Sequence, residues 1–244
     1  MNPSGTTSRA LRPGGKIIVA IDGPAGAGKS TIARSLAQRF GLLNLETGAM
    51  YRAFALKALR MELPLTDVSG LESLAAQTEI CLEPGETENR VLLDGEDVTG
   101  QIRNKAVTDA ASRVSVFPAI RAWMVHRQQQ LGAAGGVVME GRDIGTVVFP
   151  NADVKIFLDA APEVRGQRRF DQMGQRDSTP AEAPDEVLRE LRARDERDRN
   201  RTDSPLRPAP DAVMLDSTGL TLEETLTAAA SIVQTRLERL STAC

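Results

Sequence analysis

Aromatic residues are scarce in this chain of 244 residues, and its charge is nearly balanced. Phe, Trp and Tyr together make up 3% of the sequence, too few for a surface that stacks the bases of single-stranded nucleic acid. The formal net charge of -3 argues against a broad basic footprint on duplex DNA or RNA. Any positively charged site must therefore be local, and we expect no nucleic-acid partner.

Cysteines and long apolar runs are also few. Cys81 and Cys244 have no spacing that suggests a metal site or a disulfide framework, which favours a reducing compartment. No run of about 18 apolar residues occurs, so we predict no membrane span. Residues 1–15 are rich in Gly, Ser and Pro and lack the apolar region of a signal peptide, so we expect a disordered tail. These features predict a cytoplasmic protein.

Short apolar runs alternate with helix-length segments from residue 16 onward, which predicts one α/β domain over residues 16–244. The predicted strands are residues 16–21, 41–45, 136–140, 154–159 and 212–216. The predicted helices, with apolar spacings of three and four, are residues 29–40, 49–62, 118–131, 162–171, 184–200 and 221–240. Apolar strands that alternate with helices predict a five-stranded parallel sheet covered by helices on both faces.

Two segments interrupt this alternation. Residues 79–103 contain strand-like runs around turns rich in Gly, Asn and Asp, so we predict a hairpin-containing antiparallel insertion at about 64–104. Residues 171–184 are polar and rich in Gly and Pro, a composition typical of a mobile loop over an active site. We therefore expect a lid there.

The segment after the first strand, GPAGAGKS, matches the phosphate-binding loop (P-loop) pattern G-x-x-x-x-G-K-[ST]. In this pattern backbone N–H groups surround the phosphates, Lys29 reaches the β- and γ-phosphates, and the Ser30 hydroxyl ligates Mg²⁺. The flanking strand and helix are the context that the motif requires, and the helix adds its positive N-terminal end. The predicted ATP-binding residues are Gly23, Pro24, Ala25, Gly26, Ala27, Gly28, Lys29, Ser30 and Thr31.

The motifs of two large P-loop classes are absent. No guanine-reading N-K-x-D occurs, and no acidic pair follows a buried strand as in oligomeric ATPases. A small-molecule kinase fits the arginines downstream, because fixed guanidinium groups offset the repulsion between two reacting phosphates. Arg52, Arg142 and Asp143 follow predicted strands, at the edge where open α/β sheets bind ligands. In a generic P-loop enzyme, Asp143 would hold a water on Mg²⁺.

The charged segment RARDERDRNRTDSP, residues 192–205, contains two stripes on a helix. Arg194, Asp198 and Arg201 share one face at spacings of four and three, and we predict that this face meets a phosphate. A second stripe of Arg192, Asp195 and Arg199 is predicted to form solvent-facing ion pairs. The single histidine, His126, is predicted to be an ordinary surface or boundary residue and not a catalytic base.

Six segments together resemble the bacterial-type cytidylate kinases, of the nucleoside monophosphate kinase group. They occur in the family's order between residues 21 and 224. The segments are IDGPAGAGKST, LETGAMYR, LDGEDVTGQIR, GRDIGTVVFPNADVKIFLDA, RARDERDRNR and LDSTGLTLEE. GRDIGTVVFP and RDERDRNR are far more specific than the P-loop. The family usually has Asp before the hydroxyl residue of the second segment, whereas this chain has Glu46, so we assign that acid no role.

The resemblance implies transfer of the ATP γ-phosphate to CMP or dCMP with Mg²⁺, and a monophosphate-binding insertion and a lid. It also implies which residues of this chain bind the substrate, by their positions in the matching segments. Those for the CMP phosphate are Arg52, Arg142 and Arg201, those for the sugar are Arg194 and Asp198, and those for the cytosine are Ser112, Arg121 and Asp143, with Thr47 beside it. The implied catalytic residues are Lys29, Arg142, Arg194 and Arg201.

Two alternatives stay open at this stage. The first is a P-loop kinase for another small acceptor, such as UMP, AMP, shikimate or dephospho-coenzyme A. The second is a non-enzymatic nucleotide-binding or RNA-binding module that uses the arginine stripe, which the acidic balance and the few aromatics disfavour. For the enzyme, we expect ATP and CMP or dCMP as substrates and a monomeric protein.

Overall fold

The computed structural model describes residues 16–83, 85, 89–174 and 183–242. Among these residues, the strands are β1 (Ile18–Asp22), β2 (Leu43–Glu46), β3 (Ile80–Glu83), β4 (Arg90–Leu93), β5 (Glu96–Asp97), β6 (Val137–Gly141), β7 (Val154–Asp159) and β8 (Val213–Asp216). The α-helices are α1 (Lys29–Phe40), α2 (Thr47–Arg60), α3 (Val68–Ala76), α4 (Lys105–Val114), α5 (Pro118–Gly132), α6 (Pro162–Gly174), α7 (Pro184–Asn200) and α8 (Leu222–Thr242). The predicted tail, 1–15, and residues 175–182 of the predicted lid lie outside the described residues.

The central element is a five-stranded sheet with the strand order β2-β6-β1-β7-β8. Every neighbouring pair in it is parallel, so the carboxyl ends of its strands meet at one edge. The P-loop follows the middle strand, β1, and therefore lies at the centre of that edge. The predicted five-stranded parallel sheet is confirmed.

Successive residues of β1 supply hydrophobic cores on opposite faces of this sheet. Ile18 and Ala20 belong to a core formed with α2, α4 and α5. Val19 and Ile21 belong to a core formed with α1 and α8. All residues of β1 are buried, which explains why the strand is apolar without alternation. Helices therefore cover both faces, as predicted.

The segment predicted as an insertion contains a three-stranded antiparallel sheet with the order β3-β4-β5. Asp94 and Gly95 connect β4 to β5, both with positive φ (49° and 85°), as hairpin turns with the sequence Asp-Gly require. The start of the segment is helical instead, because the Asp67 side chain accepts a hydrogen bond from the Gly70 N–H (3.0 Å) and caps α3. The boundaries at 64–104 and the role of the insertion stay predictions.

Several helix bounds differ from the prediction. The helix α4 is absent from it, although Asn104 caps this helix by accepting from the Val107 N–H at 2.8 Å. The helix α6 continues to Gly174, so the first residues of the predicted lid loop are helical. A hydrogen bond from Gln167 to Asp171 (2.8 Å), one turn apart, supports this extension. No helix of the described residues is long and apolar enough to cross a membrane.

The first glycine of the P-loop provides a test of how tightly the loop packs on the sheet. Gly23 has a φ of 149°, and a Cβ there would lie 1.9 Å from the Leu158 carbonyl oxygen of β7. We expect Gly23→Ala to lower the free energy of unfolding by about 3 kcal/mol or more in urea titrations. The matched control Gly219→Ala places its Cβ in open space and should change stability by less than about 0.5 kcal/mol. Equal stability of the two variants would contradict this packing.

Candidate active site

A pocket of about 360 Å³ lies at the carboxyl edge of the sheet. Every predicted substrate residue lines it, and these are Thr47, Arg52, Ser112, Arg121, Arg142, Asp143, Arg194, Asp198 and Arg201. The P-loop residues that line it are Ala25, Gly26, Gly28, Lys29, Ser30 and Thr31. The other predicted ATP-binding residues, Gly23, Pro24 and Ala27, do not line it; Ala27 packs instead into the core beneath α1.

The P-loop ends at the start of α1. Lys29 is buried, and its Nζ donates a hydrogen bond to the Pro24 carbonyl oxygen at 2.7 Å. Burial, and after it the positive charge of Arg142, lowers the pKa of Lys29 to about 7. The first N–H groups of α1 add the positive end of the helix. An anion at this end of the pocket would therefore favour the charged form of Lys29.

A serine and a buried carboxylate lie together beside the P-loop. The Ser30 hydroxyl donates a hydrogen bond to Glu140 Oε1 at 2.9 Å, and Glu140 stands near the end of β6 with 5% exposure. Burial raises the pKa of Glu140, so a nearby cation would stabilise its charged form. Mg²⁺ favours one or two protein oxygen ligands together with substrate phosphates. The donor set of Ser30 and Glu140 fits Mg²⁺.

Asp198 lies between arginines that line the same pocket. Its Oδ2 accepts from Arg142 Nε at 2.9 Å, and its Oδ1 is 3.6 Å from Arg201 Nη1. Although burial raises the pKa of Asp198, its arginine neighbours lower it further, so the net shift is downward. Burial and then Arg142 lower the pKa of Arg194 to about 10. The arginine face that the sequence predicts is thus a cluster of positive charges, and the Asp198 carboxylate contacts two of its arginines.

A second buried ion pair joins Asp143 to Arg121. Both side chains are nearly inaccessible, and Arg121 also donates to the Ser115 carbonyl oxygen at 3.1 Å. The Arg121 guanidinium lies 5.9 Å from the centre of the Tyr51 ring. Both partners line the pocket together with Ser112 of α4. The arrangement offers hydrogen-bond acceptors and donors side by side, as the edge of a planar polar ring requires.

The turn that carries Asp143 is fixed by a residue of β1. Ile144–Val148 form a π-helical turn, a rare conformation that often marks functional sites. The Asp22 carboxylate accepts from the backbone N–H groups of Ile144 and Gly145, both at 2.7 Å. Burial raises the pKa of Asp22 to about 7. Asp22 therefore connects the strand before the P-loop to the turn beyond β6.

The raised pKa of Asp22 makes stability depend on pH. Between the unfolded pKa of 3.8 and the folded value of about 7, the folded state binds more protons, so its stability falls as pH rises. We expect the stability of the wild type relative to Asp22→Asn, which cannot ionise, to decline over this range by at most about 1.4 kcal/mol per pH unit. Urea titrations from about pH 4 to pH 8 measure this difference. Parallel profiles would contradict the buried state of Asp22.

Glu46, left without a role in the sequence analysis, contacts a predicted phosphate residue. Its Oε1 accepts from Arg52 Nη2 of α2 at 2.5 Å. Although burial raises the pKa of Glu46, the Arg52 guanidinium lowers it further, so the net shift is downward. The carboxylate therefore stays charged and orients Arg52 across the pocket.

The predicted solvent-facing stripe is wrong at Asp195. Arg192 and Arg199 are exposed, but Asp195 is 4% exposed and pairs with Arg165 of α6 at 2.6 Å. The helical period correctly places these three residues near one another, yet it cannot show that α6 and the P-loop cover Asp195. Arg192 does form an exposed ion pair, with Glu163 at 2.6 Å.

Some pocket residues are missing from the prediction. The charged ones among them are Arg34, Glu46, Arg103, Glu140 and Arg169. Arg34 follows Ser30 by one helical turn, so the spacing could have indicated it. Glu140 stands near the end of a predicted strand, which was an equally available signal. His126 is exposed and not part of the pocket, in agreement with its prediction as a surface residue.

Comparisons with known proteins agree with the resemblance found in the sequence. The cytidylate kinase family model matches residues 19–235. A cytidylate kinase of Solibacter usitatus is 49% identical over 222 residues, 91% of this chain and 94% of that protein. One of Pasteurella multocida is 45% identical over 223 residues, 91% and 97% of the two chains. One of Desulfitobacterium hafniense is 46% identical over 220 residues, 90% and 94%. The family resemblance found in the sequence segments is confirmed.

Proposed function

The chain belongs to the cytidylate kinase family, and we propose that its pocket transfers the γ-phosphoryl group of ATP to CMP or dCMP, giving ADP and CDP or dCDP. The observation that carries this proposal is the Asp143–Arg121 pair, which shares one pocket with the P-loop and with the arginine face. The P-loop supports ATP as the donor. The buried polar pair supports a base as part of the acceptor.

The proposed role of the arginines is to offset the negative charge of the two reacting phosphates. The proposed ligands of the CMP phosphate are Arg52, Arg142 and Arg201. Their guanidinium groups offset the repulsion between this phosphate and the γ-phosphoryl group. Lys29 contacts the β- and γ-phosphates from the donor side. The attacking phosphate oxygen is already anionic near neutral pH, so the step needs no general base. Positioning and charge stabilisation supply most of the catalysis in phosphoryl transfer.

The sugar is the proposed ligand of Arg194 and Asp198. Asp198 already accepts from Arg142 in the pocket, so one carboxylate would connect the sugar site to the phosphate site. Arg194 and Asp198 lie one turn apart on α7 and face the same pocket. The proposed catalytic residues are Arg142, Arg194 and Arg201, together with Lys29.

Base selection is the proposed role of Asp143. Its carboxylate can accept from the exocyclic amine of cytosine, whereas uracil presents a carbonyl oxygen at that position. Arg121 holds Asp143 and can donate to the ring, with Ser112 and Thr47 at the edge of the site. An acceptor that meets another acceptor in a buried site loses its hydrogen bond without compensation from water. The site should therefore reject UMP.

Mg²⁺ is the proposed cofactor, with Ser30 and Glu140 as the residues that would hold it. When bound, the ion would neutralise charge that develops on the phosphates. The hydrogen bond from Ser30 Oγ to Glu140 Oε1 keeps both oxygen atoms beside the P-loop, where ATP is proposed to bind. The Thr47 hydroxyl donates to the backbone oxygen of Glu140 at 2.8 Å and so fixes the end of β6.

We also propose a monomer in the cytoplasm. Among the described residues, the large apolar side chains that are more than half exposed are Met61, Met214 and Leu222, on separate elements, which supports a surface without a large apolar interface. Cys81 is a free thiol, which suits a reducing compartment.

The function is tested by ADP production across a panel of acceptors. Purified protein with ATP and Mg²⁺ should form ADP fastest with CMP or dCMP and far more slowly with UMP, AMP, shikimate or dephospho-coenzyme A. A coupled assay for ADP measures each rate. Efficient turnover of another acceptor, without turnover of CMP, would contradict the proposal in favour of that kinase.

A variant of Asp143 tests its proposed role in base selection. We expect Asp143→Ala to reduce the preference for CMP over UMP by about ten- to a hundredfold, because the variant lacks the acceptor that distinguishes the two bases. The ratio of kcat/KM for CMP to that for UMP measures this preference, and it does not depend on the folded fraction of the preparation. His126→Gln, at an exposed position outside the pocket, is the control. An unchanged ratio in Asp143→Ala would argue against this role.

A further inference from the structure

We propose that Arg165 and Asp195 are positioning residues that hold the P-loop at Ala25 in the conformation that binds ATP. These three residues are called the Ala25 clamp below. The inference rests on the proposed function in one respect, namely that the P-loop binds the phosphates of ATP. Neither Arg165 nor Asp195 lines the pocket, so both act through the loop.

The clamp holds both polar backbone groups of a single loop residue. Asp195 Oδ1 accepts from the Ala25 N–H at 3.2 Å. Arg165 Nη1 donates to the Ala25 carbonyl oxygen at 2.9 Å. The same Nη1 contacts Asp195 Oδ2 at 2.6 Å, which closes the ring of contacts. Ala25 is thus fixed on its donor side and on its acceptor side by one ion pair.

The two side chains come from elements far away in the sequence. Arg165 lies in α6 and also donates, through Nε, to the Ala160 carbonyl oxygen at 2.8 Å, which fixes its guanidinium to the start of that helix. Asp195 lies in α7, next to the pocket residue Arg194. The clamp therefore sets the position of the P-loop relative to the helix that carries Arg194 and Asp198, which the proposed function assigns to the acceptor.

Stability alone does not account for a charged pair at this place. Arg165 is 1% and Asp195 4% exposed, and the Ala25 that they hold belongs to an apolar cluster with Val187 and Leu191. Burying two charges costs solvation energy, and a well-packed apolar pair is often as stable as a buried ion pair. What an apolar pair cannot do is donate to and accept from the Ala25 backbone. The directional contacts indicate a positioning role.

The next loop residue shows how little room the loop has to move. Gly26 has a φ of 75°, and a Cβ there would lie 3.2 Å from the Arg165 backbone oxygen. The loop thus packs directly on α6 beside the clamp. A shift of Ala25 would move the adjacent N–H groups that surround the phosphates, so the clamp acts where loop position determines ATP affinity.

The same two helices provide a matched control. Arg192 of α7 and Glu163 of α6 form an ion pair at 2.6 Å, with side chains 57% and 63% exposed. Arg192→Gln breaks a contact between the same helices without touching the P-loop. We expect this variant to keep the wild-type affinities for both nucleotides.

The test variant replaces the clamp by apolar side chains of similar size. In Arg165→Met/Asp195→Leu neither charge is left buried without a partner, but the Ala25 N–H and the Ala25 and Ala160 carbonyl oxygens lose theirs. We therefore expect a folded variant with a lower urea unfolding midpoint. We expect its Kd for ATP with Mg²⁺ to rise about tenfold, as for the loss of one to two hydrogen bonds. Its Kd for CMP should stay within about twofold. Isothermal titration of each nucleotide alone measures both constants.

A conservative variant covers the case in which the double variant does not fold. Arg165→Lys keeps the charge opposite Asp195 but lacks the planar fork that reaches Ala25 and Ala160 together. We expect it to weaken ATP binding selectively and less than the double variant does. Wild-type ATP affinity in the folded variants, or an equal loss of ATP and CMP affinity, would overturn the proposal.

Amide hydrogen exchange separates the clamp from the proposed function. The Ala25 N–H is expected to exchange faster in the double variant than in the wild type, with no ATP present, because it loses its acceptor Asp195. Unchanged exchange at Ala25 would overturn the clamp. A wild type that binds no ATP would contradict the proposed function and leave the exchange result readable.

Discussion

Repulsion between guanidinium groups is the constraint on which the pocket depends. Arg142, Arg194 and Arg201 approach one another in a partly buried space, and burial with Arg142 lowers the pKa of Arg194 to about 10. Asp198 offsets part of this charge through its contacts with Arg142 and Arg201. Under the proposed function, an incoming phosphate would offset the rest. The pocket is therefore arranged for polyanions before they arrive, which is the preorganisation that electrostatic catalysis requires.

Acids inside the pocket would compete with the proposed substrate for the same arginines. Glu46 holds Arg52, and Asp198 holds Arg142. A phosphate that binds to these arginines must share them with a carboxylate or displace it, which weakens binding but fixes the geometry of each side chain in advance. These acids are among the 33 acidic residues that outnumber the 30 basic ones in the chain. The guanidinium groups of Arg52 and Arg142 are each oriented by a neighbouring carboxylate.

The sequence predicts the sheet well because its strands are buried on both sides and read as continuous apolar runs. The P-loop and the face of Arg194 and Asp198 are predictable because backbone geometry and helical period determine which residues lie together. The helices α3 and α4 are missed because their caps, Asp67 and Asn104, stand in a segment dominated by turn residues. Asp195 is misassigned because the helical period cannot tell which neighbour covers a given face.

The proposed donor and acceptor sites follow two adjacent strands. The P-loop continues from β1, and Arg142 and Asp143 continue from β6, which pairs with β1 from Ile18 to Asp22. Paired strands lie about 4.8 Å apart because their backbone hydrogen bonds fix that spacing. If both sites bind as proposed, the main chain would fix the separation between the reacting phosphates. Side-chain substitutions in evolution can exchange the acceptor of such an enzyme while the span across which the phosphoryl group moves stays the same.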